Sequence, residues 1–406
     1  MRARTTSISG GSPLRSRSFL LLLVATFSSV SNYATLLSVV PLWAAQGGSG
    51  GAGVGSTTAV MMGTTVVSQL CMGWMLRVLS LRSLFAVGAA LMGLATPAYL
   101  LSDALGPVLA VSAVRGFGFG MVVVAGSALT AELIPTALLG KGVGLYGLST
   151  GLPSVVCLPL GVWVAQEVGF APVFTTMTLL TLFAVPVILG VRSDDRDATE
   201  RETPGGASPR RTGFGRLTPL APGFVLMIGV SIGLGGLSTF LPLAIDHSLT
   251  ASAALLTMSI GVNVGRLGVG AISDVVGPGR MVLPAVLAGA AGMAGIAILT
   301  GPGPQVIVPI AAFAYGIGFG AVQNETLVVM LRRTGPKGHG LASTVWNMGY
   351  DGGAGVGAVL LGAVVATASH EAAFAVSAVL IAMTAPLAWS DSRRPRFGSF
   401  AGSQRP

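Results

Sequence analysis

The sequence predicts an all-α membrane protein of twelve transmembrane helices in two pseudo-symmetric six-helix bundles. Three observations predict it. The 406 residues are 52% hydrophobic and only 9% charged, with a mean hydropathy of +0.79. Uncharged apolar runs recur along the chain, and glycine motifs repeat at a near-constant offset. A soluble domain carries about 25% charged residues, so this composition cannot cover a water-exposed surface. It is also far too apolar for a disordered chain. The net charge of +9 sits in short clusters between apolar runs, so nucleic acid is not an expected partner. Cys71 and Cys157 lie inside apolar runs, and His247, His339 and His370 lie in separate loops. That spacing offers neither a disulfide framework nor a metal site. No phosphate-binding loop motif occurs, and no cofactor or enzymatic activity is expected.

A membrane-crossing helix needs roughly 20 mostly apolar residues. Spans are expected near 18–44, 55–76, 83–102, 107–131, 141–165 and 170–191, then near 221–245, 251–273, 281–300, 304–331, 340–367 and 371–390. The first two share a stretch free of charge, broken by the glycine-rich run 46–51. Between the sets, residues 192–220 mix both charge signs with Pro and Gly, as a linker does. The bundles are thus 18–191 and 221–390, with tails at 1–17 and 391–406. With the tails inside, every Lys and Arg except Arg115 and Arg266 falls in a tail or an inner loop. The outer loops carry only acids and histidines, which the positive-inside rule requires. Both termini are therefore expected in the cytoplasm. The basic set is nearly all Arg, which points to a GC-rich bacterial genome and so to a bacterial inner membrane.

Arg115-Gly-Phe-Gly-Phe-Gly120 answers Tyr315-Gly-Ile-Gly-Phe-Gly320 at an offset of 200. Gly73 answers Gly270 at 197, and Gly142 answers Gly340 at 198. Six spans on each side of a constant offset imply parallel repeats about an axis along the membrane normal, an arrangement of secondary transporters. The sharpest segment is Gly270-Ala-Ile-Ser-Asp274-Val-Val-Gly277-Pro-Gly-Arg280, preceded by Arg266. It resembles the loop signature G-x-x-x-D-x-x-G-x-x-R of the major facilitator superfamily, and the resemblance covers nearly the whole chain. It implies that Asp274 latches the cytoplasmic side closed by bonding a helix N-terminus; the other reading is a cap on span nine. The first-half copy, beginning at Gly73, has Arg77 where the signature has Asp, so an asymmetric gate is expected. Gly147, Gly151, Pro153, Pro159 and Gly161 in span five are similar to the superfamily's exporter motif, although plain helix packing explains them equally well.

Ionisable groups inside a span are functional candidates by default. Asp351, near the middle of span eleven, and Glu325 in span ten are the candidate proton-coupling acids. Structural bonding is the alternative for each, with Arg266 as the partner expected for Glu325. Arg115 matches the superfamily's span-four arginine only with a register shift, since that position holds Ser112. It is a candidate for an anionic substrate or for tuning an acid. Asn32, Tyr33, Gln69, Asn263, Asn324, Asn347 and Trp346 are cavity candidates, with hydrogen bonding between helices the favoured reading for Asn32, Tyr33, Gln69, Asn263 and Asn347. The expectation is a monomeric secondary transporter in the lipid bilayer that exports a small organic molecule in exchange for protons. Import of a small, possibly anionic metabolite is the runner-up, and a non-transporting membrane sensor a distant third.

Overall fold

A computed structural model describes residues 13–135, 138–192, 217–301, 303–335 and 338–392, without the side chains of residues 139, 140, 274 and 339. The interhelical linker and the C-tail expected from the sequence lie largely outside these residues. The described chain is helical: α1 (Arg17–Gln46), α2 (Gly51–Met75), α3 (Leu81–Ala95), α4 (Leu105–Leu133), α5 (Leu139–Glu167), α6 (Phe170–Leu189), α7 (Ala221–Ala244), α8 (Ser248–Val276), α9 (Val282–Thr300), α10 (Val308–Thr334), α11 (His339–Thr367), α12 (His370–Ala382) and α13 (Ala385–Ser392). A 3-10 segment, Thr96–Leu101, prolongs α3, and α13 continues α12 after a short turn.

Eleven of these stretches are long and apolar enough to span a membrane. Helix α2 has the length, at 25 residues, but not the hydropathy, because Gly, Thr, Ser and Gln fill it. Those small residues serve packing. A Cβ at Gly55 would stand 2.1 Å from the Ala358 carbonyl oxygen, and one at Gly51 2.7 Å from that of Gly362. Helix α2 begins at Gly51, four residues before the expected start near 55, and the glycine-rich run still forms the break after α1. Gly51, the last residue of that run, already lies against α11. Pro41, Pro153, Pro159, Pro186 and Pro242 all sit within continuous helices. In apolar surroundings, neighbouring helices and local adjustment tolerate them.

The packing order repeats. Helix α1 lies against α5 and α6, α2 against α4, and α3 against α4 and α6. In the same order, α7 lies against α11 and α12, α8 against α10, and α9 against α10 and α12. Helices α1 and α7 are the most buried spans, 72% and 83% over their most apolar windows. Large apolar side chains such as Leu179, Phe183, Leu267 and Ile310 point outward, a surface that water disfavours and hydrocarbon accepts.

The glycine motifs are the contacts of this repeat. A Cβ at Gly116 would stand 2.1 Å from the Met61 carbonyl oxygen, and one at Gly316 2.2 Å from that of Met258. One turn on, Gly120 meets Thr65 and Gly320 meets Val262. Both glycine pairs let helix backbones touch, which replaces hydrophobic driving force as the source of association in lipid.

Candidate functional site

The two sets of helices meet along α2–α11 and α5–α8. Crowding is greatest away from the chain ends, where Gly51, Gly55 and Gly355 abut the opposite helix. There too Gln166 Nε2 donates to the Pro242 carbonyl at 3.2 Å, and the Ser248 hydroxyl donates to Glu167. Toward the chain ends, Gly73 and Gly268 have open space around them, and Trp74 and Val275 are exposed.

Asp351 lies near the middle of that seam. It is 4% exposed, and its Oδ2 accepts a 2.7 Å hydrogen bond from Gln69 Nε2 on α2. The neighbouring Gly352 has open space within 4 Å. Tyr33 stacks on Phe119 with ring centroids 4.0 Å apart, and Tyr350 leans on Phe319 and Trp346. The buried Gln69 Oε1 has no hydrogen-bond partner among the described residues, so polar capacity is left in this region. Asn263 Oδ1 lies 3.1 Å from where a Gly151 Cβ would be, joining a cavity candidate to the α5 motif across the seam. Trp346 Nε1 donates to Thr326 Oγ1 at 3.1 Å, and Asn347 bonds back to the Ser343 carbonyl within its own helix.

Glu325 is elsewhere. It is 1% exposed and accepts the Gly279 backbone N–H in the α8–α9 loop. Arg266 instead donates to Gln323, while Asn324 Nδ2 donates to the Arg266 carbonyl at 2.8 Å. Gly277 and Gly279 have φ of 95° and 87°, the left-handed region in which glycine is favoured, so the loop's shape depends on them. Gly270 faces Asn324, and Arg280 is exposed. The Asp274 side chain lies outside the described residues. In the first half Arg77 is exposed beyond the end of α2, and the position answering Glu325 is Ala125. The loop tie seen at Gly279 therefore has no carboxylate counterpart there. Gly147 has open space, whereas Gly161 is pressed against Thr35. Pro153 and Pro159 lie in mid-α5.

Arg115 is fully buried. Its Nη2 and Nε donate to Asn32 Oδ1 at 2.8 and 3.3 Å, and its Nη1 donates to the Tyr99 hydroxyl at 3.1 Å. The guanidinium also lies 5.6 Å from the centre of the Tyr99 ring. Asn32 is held by Thr96 Oγ1 at 3.0 Å, and Tyr99 by Ser112 Oγ at 2.9 Å. Sequence reasoning missed Tyr99 and Thr96, which sit in the 3-10 continuation of α3 and carry no periodic signal.

The major facilitator superfamily matches residues 22–358. The chain belongs to this superfamily. It is thereby a multi-pass membrane transporter and not an enzyme. No curated protein matches it in sequence. Among solved structures it is similar to the nucleoside transporter NupG, at 14% identity and TM-score 0.73, covering 93% of this chain and 100% of that one. A D-xylose-proton symporter matches at 13% identity and TM-score 0.71, covering 92% and 98%. A POT family transporter in complex with 5-aminolevulinic acid matches at 13% and 0.70, covering 92% and 95%. At these identities the likeness carries the fold and leaves substrate and direction open.

Proposed function

We propose that this superfamily member exports a small organic molecule in exchange for protons, by alternating access between two six-helix bundles. The observation that carries the reading is the Asp351–Gln69 bond, a buried carboxyl on α11 held by a donor on α2. A carboxylate and a carboxylic acid differ in what they accept and donate. Proton uptake at Asp351 therefore changes the strength of a contact that must break when the bundles part. The carboxyl thus couples protonation to conformation, which is what an exchanger needs. Glu325 is assigned to the second-half gate, where it ties the α8–α9 loop to α10, and Arg266 supports it through Gln323. The Gly- and Pro-containing α5, similar to the superfamily's exporter motif, supports export. We place the monomer in a bacterial inner membrane with both termini cytoplasmic, on the distribution of Arg and Lys.

Import is the second reading. The fully buried Arg115 favours it, because a fixed cation suits a charged nutrient better than an apolar drug. The test uses inside-out vesicles with an acid interior, a pH-sensitive dye, and a panel of amphiphilic drugs and small metabolites. Substrate-triggered proton loss is expected in wild type and at least about tenfold less in Asp351→Asn, a change of roughly 1.4 kcal/mol in coupling. Proton loss undiminished in the variant overturns the role of Asp351. Labelled uptake into whole cells without proton-driven extrusion from vesicles selects import.

A further inference from the structure

Arg115 holds a full positive charge with no carboxylate among its partners in the described residues. Its contacts are Asn32, Tyr99 and the Met61 thioether, at 3.9 Å, all of them neutral. Sulfur is a weak acceptor, so Nη1 is the least satisfied corner of the fork. A buried cation without a countercharge is unfavourable wherever it serves packing alone.

The second half of the molecule supplies an internal control. Tyr315 occupies the position answering Arg115 at an offset of 200, and Gly233 the one answering Asn32 at 201, the offset that sets Pro242-Leu243 against Pro41-Leu42. Tyr315 is also fully buried, and its hydroxyl donates to the Val230 carbonyl at 2.8 Å. The flanking glycines make matching contacts in both halves. The same packing problem is thus solved once by a neutral phenol and a backbone carbonyl, and once by a guanidinium and an amide. Packing does not demand the charge.

A cavity of about 10 Å³ adjoins Arg115 at the junction of α1, α2 and α4, room for about one water. Leu36, Pro41, Thr57, Thr58, Met61 and Ser112 line it. It is closed toward the second half by a 3.0 Å bond between Thr58 and Thr239 on α7. All the side chains that hold Arg115 belong to the first half, so the charge stays with that half when the seam at Thr58–Thr239 parts.

We propose that Arg115 receives an anionic group, the carboxylate of a small organic substrate, in this cavity once α7 draws away from α2. One guanidinium, with no second cation in the lining, matches one negative charge better than a phosphate dianion. The inference rests on the transporter reading above and narrows its substrate to organic monoanions. Phe119, one turn along α4, stacks on Tyr33, the residue after Asn32.

The test follows thermal unfolding of the purified full-length protein with acetate, lactate and benzoate, with their amides, and with chloride, sulfate and phosphate at matched ionic strength. At least one carboxylate, and not its amide, is expected to raise the melting temperature of wild type. Its half-saturating concentration should rise at least about tenfold in Arg115→Gln, with partial recovery in Arg115→Lys. The double variant Asn32→Gly/Arg115→Tyr copies the second half, so it should fold normally and ignore carboxylates. The proposal is overturned if no carboxylate stabilises wild type, if inorganic anions alone do, or if Arg266→Gln loses the response while Arg115→Gln keeps it. Asp351→Asn should retain the carboxylate response, so failure of the proton-coupling reading would be seen separately in the vesicle assay.

Discussion

Asn32 shows how much one side chain carries. Its carbonyl oxygen takes two N–H groups of Arg115, and its amide reaches Thr96 at 3.0 Å. Substituting Asn32→Leu removes an acceptor from a buried cation and leaves nothing for water to replace. The expected cost is about 3 kcal/mol, measured as a lowered unfolding midpoint in detergent. Arg115→Gln, by removing the charge as well, should cost less than Asn32→Leu. The order of those two midpoints separates the burden of an unpaired charge from simple loss of packing volume.

At the scale of elements, the glycines divide into two kinds. Gly116 and Gly316 stand where a Cβ would approach a backbone carbonyl of the neighbouring helix to 2.1 and 2.2 Å. Backbone cannot yield as a flexible side chain does, so Gly116→Ala and Gly316→Ala should each destabilise by about 1–3 kcal/mol through forced separation of α4 from α2 and of α10 from α8. Gly63, also in α2, has no atom within 4 Å of its would-be Cβ. Gly63→Ala should stay within about 1 kcal/mol of wild type, with any change favouring the variant through helix propensity. Thermal melts of the three single variants check the contrast, which rests on contact geometry and not on residue type.

For the molecule as a whole, the contacts far from the chain ends tie the two sets of helices together. Glu167 and Ser248 meet there across the α5–α8 seam. With Cys71 and Cys157 replaced by Ser, the pair Glu167→Cys and Ser248→Cys should be joined readily by a short bis-maleimide linker. Linked protein is held in the state described here and should lose at least about tenfold in transport, because only one of two alternating states remains. Transport that persists after complete linkage would mean that this seam need not open.

The sequence by itself determined the class of the molecule. A composition with so little charge has only lipid as a compatible solvent, the runs of apolar residues set the helices, and the repeat of Gly116 and Gly316 announced equivalent packing before any helix was placed. The two halves' glycines do meet equivalent partners, Met61 and Met258. Asp351, Arg115, Asn32 and Tyr33 were legible as candidates because ionisable and polar groups are costly in a membrane and therefore conspicuous in a run of Leu, Val and Gly. What they touch was not legible. Asp351 finds Gln69 from 282 residues away, Arg115 takes Asn32 and Tyr99, and Glu325 turns to the Gly279 N–H while Arg266 takes Gln323. The tertiary structure alone decided these pairings. Helical periodicity fixes which face a side chain occupies, whereas its partner depends on which helix the rest of the chain packs against that face, and at what height.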